Sequence, residues 1–231
     1  MVEAQERPAH ERQIIGLDVL RFAAAFMVMF YHFAFCSWAS PTSPARLTGG
    51  DFDAYRPLEA WSSFGWVGVE IFFVVSGFVI AYSADGASAA RFLRSRILRL
   101  GPGVWVAATV TLLVALAVNL PEPNLIEAYI RSLLFSPQNP WISGVYWTLW
   151  VEIAFYACVF LLLALDQFHR LALFATGLGL VSALFWAVYA AAMLGVDGLS
   201  PIMRLANHRI GELLLLQYGC FFALGVFLWL G

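Results

Sequence analysis

Two basic side chains stand out in LDVLRFAAAFMVMFYHF, residues 17–33: Arg21 and His32. The rest of the stretch is suited to hydrocarbon, where a central Arg costs about 2.5–3.5 kcal/mol on translocon scales. They lie eleven positions apart, close to three helical turns, so the spacing predicts one shared stripe with roughly 16 Å of rise between them. Arg21 then falls near one membrane surface, where it can snorkel or handle a ligand, and His32 falls in the opposite half. An imidazole at that depth is a candidate general base.

Two acids accompany them. Glu70 interrupts FGWVGVEIFFVVSGFVIAYS and Glu152 interrupts VYWTLWVEIAFY. Counted from the outer ends of their runs, His32 and Glu70 are each about six residues deep and Glu152 about seven, roughly 9–10 Å. The expectation is one polar layer in which a carboxylate fixes the tautomer of His32 and raises its basicity. Ser76 reads as a helix-to-helix hydrogen-bond donor, and Gly77 as either close packing or room for a ligand.

A third group is DGASAARFLRSRILRLGP, where Arg91, Arg94, Arg96 and Arg99 face a single acid, Asp85. Such a cluster orients the chain and contacts anionic headgroups. It also offers bidentate recognition of phosphate.

These residues need elements to hold them. The chain has 231 residues, 61% hydrophobic and 12% charged, well beyond the apolar share of a soluble domain. Apolar runs at 17–38, 64–83, 103–119, 145–165, 171–194 and 213–231 are each near the roughly 20 residues a helix needs to cross the bilayer. The predicted fold is therefore all-α, a polytopic transmembrane bundle of about six spans. The arginine-rich loop is placed in the cytoplasm by the positive-inside rule, and the N-terminus with it. Residues 1–13 read as a cytoplasmic tail and 14–231 as one bundle.

In the outer loop 120–143, Asn124 and Glu127 have the spacing of a capping box, and LIEAYIRSLLF reads as a helix on the interface. The last run stops at Gly231 without a polar flank, the pattern expected of a C-terminally truncated bundle.

Net charge is −2 and all 13 basic residues are Arg, which argues for no nucleic-acid partner. Cys36, Cys158 and Cys220 sit in apolar runs and read as small hydrophobes, with no metal-ligand set in the chain.

The motifs LDVLRFAAAFMVMFYHF, GWVGVEIFFVVSGFVI, RFLRSRILRLGP and VYWTLWVEIAFY, in this order, resemble acyltransferase family 3, multi-pass membrane proteins that O-acylate cell-surface and exported carbohydrates. The resemblance implies transfer of an acyl group, commonly acetyl from acetyl-CoA, to a hydroxyl of a carbohydrate or glycolipid acceptor at the bacterial inner membrane. It implies no bound cofactor, with acyl-CoA as a substrate. Arg21, His32, Glu70 and Glu152 then become catalytic or donor-handling residues, and Arg91, Arg94, Arg96 and Arg99 the donor-binding set. Position 70 often holds Asp in that family, so Glu70 keeps the charge with a longer reach. Family members carry more helices than six, so the chain reads as part of a full domain. The alternatives are a proton-coupled transporter, since a His/Glu layer also describes a proton relay, and a non-catalytic membrane remnant. Paired Gly/Pro-broken helices of the inverted-repeat kind, which a transporter favours, are not found.

Overall fold

The computed structural model describes residues 15–41, 43, 52–120, 122–196, 198–206 and 208–231; the expected tail, residues 1–13, lies outside them. Among these residues there are helices and no strands. Five helices are long and apolar enough to cross a membrane, so the chain is a polytopic helical bundle.

The first, α1 (Ile15–Phe30), continues without a break through a π-helical turn, Tyr31–Cys36, into Ser37–Ala39. The turn is tied down from beyond: Ser37 Oγ donates to Phe33 O (2.6 Å) and Trp38 Nε1 to Ala34 O (2.9 Å). A 3₁₀ turn at Asp53–Leu58 and a short helix at Glu59–Ser62 pack against this outer end of α1. The Arg56 guanidinium lies 5.1 Å from the Trp38 ring centre there.

The second helix, α2 (Val67–Ala84), returns antiparallel to α1. Close approach is set by glycine. A Cβ on Gly65 would strike Met27 O and Tyr31, and one on Gly68 would strike Ala24 O. Lipid is as apolar as a leucine side chain, so helices in a bilayer associate through such close contact rather than through removal of surface from water.

The third, α3 (Ala89–Ala117), corrects the sequence reading of a basic loop followed by a span beginning at 103. The arginine-rich segment is already helical, capped by Ser88, whose side chain accepts from the Arg91 backbone N–H. Pro102 lies inside the helix. Ser is among the preferred N-caps, and the residues after it include good helix formers. The apolar window begins late because arginines depress hydropathy without disfavouring helix.

Next comes α4 (Leu125–Leu133). The expected capping box is not made: Asn124 contributes no side-chain cap, and Glu127 Oε1 accepts from Arg131 Nε at 2.8 Å instead. An ion pair at i, i+4 satisfies the same carboxylate. The helix also packs on its neighbour. Trp105 Nε1 donates to Leu133 O (3.1 Å) and Thr109 Oγ1 meets Tyr129 OH (3.1 Å), so α4 runs back antiparallel along the outer half of α3.

The chain thereby doubles back along α3 before its next long helix, α5 (Tyr146–Ala164). The Tyr146 hydroxyl reaches Val104 O at 3.4 Å, with residues 105–117 of α3 still running outward beyond that level. A 3₁₀ turn, Phe168–Arg170, leads into α6 (Leu171–Met193). Short helices Ser200–Ala206 and Arg209–Leu213 then precede α7 (Gly219–Leu230). The sixth apolar run, expected at 213–231, is thus a helix of 12 residues, about 18 Å long. It is wedged between α2 and α6.

The centre of the bundle is aromatic. Phe155 of α5 stacks on Phe222 of α7 with centroids 4.5 Å apart, and Phe73 of α2 meets Phe222 at 4.9 Å. All three are fully buried. Gly77 faces α7, where a Cβ would collide with the Phe222 backbone. Close packing is therefore its role, and the alternative of room for a ligand beneath Glu70 falls away.

Candidate functional site

The expected single layer of His32, Glu70 and Glu152 is not what the helices build. Gly68 sits against Ala24 and Val28, and Gly65 against Met27 and Tyr31. That register puts Glu70 roughly 10 Å deeper than His32. Ser76, six residues further along α2, adds about 9 Å, and its hydroxyl donates to Glu152 Oε1 at 3.1 Å. Glu152 is thus level with the Arg21 region.

Counting from run ends fails for two physical reasons. The outer end of α1 overshoots the start of α2 by several turns. The start of α5 is sunk to the level of Val104 by the return of α4 along α3.

Around Glu152 the structure assembles a buried polar cluster from four helices. Glu152 is 5% exposed. Its Oε1 accepts from Ser76 and also from the Tyr156 hydroxyl at 2.7 Å, one turn along α5. Arg96, 6% exposed, projects from α3 and donates Nη2–H to Ser83 Oγ at 2.8 Å. Its guanidinium carbon lies 5.3 Å from the Phe92 ring centre and 5.5 Å from that of Tyr156, within range for cation–π attraction to both. Arg21 enters from α1, within electrostatic reach of Glu152, Tyr156 and Arg99, and of Asp18 on its exposed side.

The cluster is under-satisfied on the cationic side. Arg21 Nε and Nη2 and Arg96 Nε and Nη1 are buried with no hydrogen-bond partner among the described residues. Burying a polar N–H without a partner is costly. Three guanidinium groups (Arg21, Arg96, Arg99) lie within electrostatic reach of the hydrogen-bonded Glu152–Tyr156 pair. An arrangement of spare forked donors and excess positive charge suits an anion with several oxygens, such as a phosphate or carboxylate.

The other residues singled out from their types and spacing separate. Arg91 and Arg94 are exposed on the outside of α3. Arg99 is exposed and within electrostatic reach of Arg21 and Tyr156. Glu70 is half-buried, with no side-chain hydrogen bond or ion pair among the described residues. His32 is exposed near the far end of α1, within the π-helical turn, its ring edge-on to Tyr31 at 5.4 Å. No carboxylate among the described residues bonds to it, so the expected orientation by Glu70 or Glu152 is not made.

Sequence reading misses Tyr156, Ser83 and Phe92. The signal for Tyr156 is its i+4 position after Glu152, which puts both side chains on one face. Phe92 and Arg96 repeat that spacing on α3. Nothing local announces Ser83, which meets Arg96 through the α2–α3 turn.

Over 103 residues the chain is 36% identical to "Exopolysaccharide production protein ExoZ" of Rhizobium meliloti (strain 1021), covering 40% of this chain and 32% of that protein. The matched stretch is thus about a third of the relative's length. No solved structure matches the chain. The profile of the family described as "Acyltransferase domain" matches residues 14–230, nearly the whole length, and the chain therefore belongs to this family of acyltransferases.

Proposed function

We propose that the chain transfers an acyl group, acetyl in the first instance, from acyl-CoA to a hydroxyl of an exported carbohydrate or a glycolipid precursor of one. The single observation that carries this reading is the buried cluster of Arg21, Arg96 and Glu152, whose spare guanidinium donors suit an anion inside a member of an acyltransferase family. The name of the Rhizobium relative, an exopolysaccharide production protein, favours a polysaccharide acceptor. The arginine excess at the α2–α3 end favours a cytoplasmic position for that end, the compartment of acyl-CoA, in a bacterial cell membrane.

In this mechanism Arg21, Arg96 and Arg99 hold the phosphates of the donor. Arg91 and Arg94, exposed just outside, attract it electrostatically. The pantetheine arm runs outward along α1, and the roughly 16 Å between Arg21 and His32 suits a long thin arm. His32, exposed toward the outer end, takes the proton of the acceptor hydroxyl as its oxygen attacks the thioester carbonyl. The C–S bond breaks, the ester forms, and coenzyme A leaves as a thiolate that is then protonated. General base catalysis of this kind is worth about 10²–10⁴-fold. Glu152 sits at the donor end, where it offsets the arginines and sets how tightly phosphate is held.

The test uses membranes carrying the chain, labelled acetyl-CoA and a bacterial exopolysaccharide stripped of its esters with mild base. Label should enter the polysaccharide in the parent and fall at least about 10²-fold in His32→Ala. Equal transfer by a normally inserted His32→Ala removes the base assignment. Uptake of sugar or ions into vesicles without any acyl-CoA points to transport instead.

A further inference from the structure

Within this reading of the donor site, we infer that Tyr156 is a positioning residue that keeps the Glu152 carboxylate from closing onto Arg96. Its two ends touch the two charges. The hydroxyl donates to Glu152 Oε1 at 2.7 Å, and the ring lies 5.5 Å from the Arg96 guanidinium carbon. Phe92 backs the same guanidinium at 5.3 Å and meets Tyr156 edge-on, centroids 6.3 Å apart at 78°. Ser76 adds a second donor to the same carboxylate oxygen.

A carboxylate and a guanidinium that touch opposite ends of one buried side chain attract each other, and a direct bidentate pair is the competing arrangement. No such pair forms among the described residues. The carboxylate is held by two neutral hydroxyls and the guanidinium by two rings and Ser83. The consequence is that Arg96 keeps Nε and Nη1 unpartnered. A direct Glu152–Arg96 pair would use up the donors that a phosphate needs. Tyr156 does this with one side chain because its rim carries a polar hydrogen while its face is electron-rich.

The discriminating substitution is Tyr156→Phe, which removes the hydroxyl and leaves the ring over Arg96. Freed from one of its two tethers, Glu152 turns to Arg96 and competes with the ligand. The dissociation constant of coenzyme A for the purified protein, and the KM of acetyl-CoA, should each rise about tenfold, the scale of a hydrogen bond to a charged group. The same substitution in a Glu152→Gln background should raise neither, because a neutral amide does not compete for Arg96. A role confined to packing predicts equal losses in both backgrounds. A parent that neither binds coenzyme A nor transfers acetyl overturns the acyl-CoA reading and this role with it. A parent that does both, while Tyr156→Phe changes nothing or weakens binding equally with and without Glu152→Gln, overturns the positioning role alone.

Discussion

Gly77 of α2 and Gly225 of α7 meet back to back: a Cβ on Gly225 would lie 2.9 Å from Gly77 Cα and would strike Val74 O. The contact locks α7 against the helix that carries Ser76, so the donor to Glu152 and the packing glycine are adjacent residues on different faces of α2. Overpacking at such a crossing costs typically about 1–3 kcal/mol. Gly225→Ala and Gly77→Ala should each lower the melting temperature in detergent. Gly103→Ala, with nothing within 4 Å of the added carbon, should leave it unchanged.

Arg96 and Arg91 should behave differently although both belong to the same basic run. Arg96 is buried between rings, and Arg91 is exposed. Arg96→Lys loses the planar stacking and the fork, so the donor KM should rise about tenfold or more. Arg91→Ala should change it severalfold at most, and that change should vanish in high salt as screening removes long-range attraction. Donor KM measured at two ionic strengths decides the matter.

Glu152→Gln keeps the shape of the side chain and removes its charge. The arginines around it are then buried without a counter-charge, a condition that costs about 3–5 kcal/mol where a buried pair is broken. Because the structure surrounds Glu152 with hydroxyls rather than a direct ion pair, the expected loss lies at or below the lower end of that range. Thermal melts of parent and variant, with and without coenzyme A, give the value, and bound ligand should recover part of it.

His32 as general base requires a neutral ring. Acyl transfer should therefore fall as pH drops through the imidazole range and level off above it. In His32→Ala that inflection should disappear along with most of the rate. A pH profile of kcat/KM for the acceptor reports it, and an unchanged profile in the variant assigns the titration to another group.

How much of this is legible in the sequence differs from residue to residue. The helices announce themselves because a 20-residue apolar run admits few alternatives in a bilayer. Arg21, Glu152 and the arginine run announce themselves because charges in such runs are rare. Depth does not. Counting from run ends gives His32, Glu70 and Glu152 one layer only if all helices begin at one surface. The overshoot of α1 and the sunken start of α5 break that assumption, and both arise from segments between the helices, where hydropathy carries no depth information. The partnership of Ser76 with Glu152 spans 76 positions and leaves no local trace. The Glu152–Tyr156 pair does, and i, i+4 spacing is sufficient to find it.

The π-helical turn at Tyr31–Cys36 holds one residue more than α-helical winding would use over the same length. That surplus residue sets the rotational phase of everything beyond it, including Trp38 and its contact with Arg56. Forcing all of these residues into ordinary α winding would swing the distal side chains by about 100°, whereas deleting a single position there would restore that winding and keep them on their present face. The far end of α1 is in effect keyed: the wide turn takes up one residue and so holds Trp38 at the angle from which it meets Arg56.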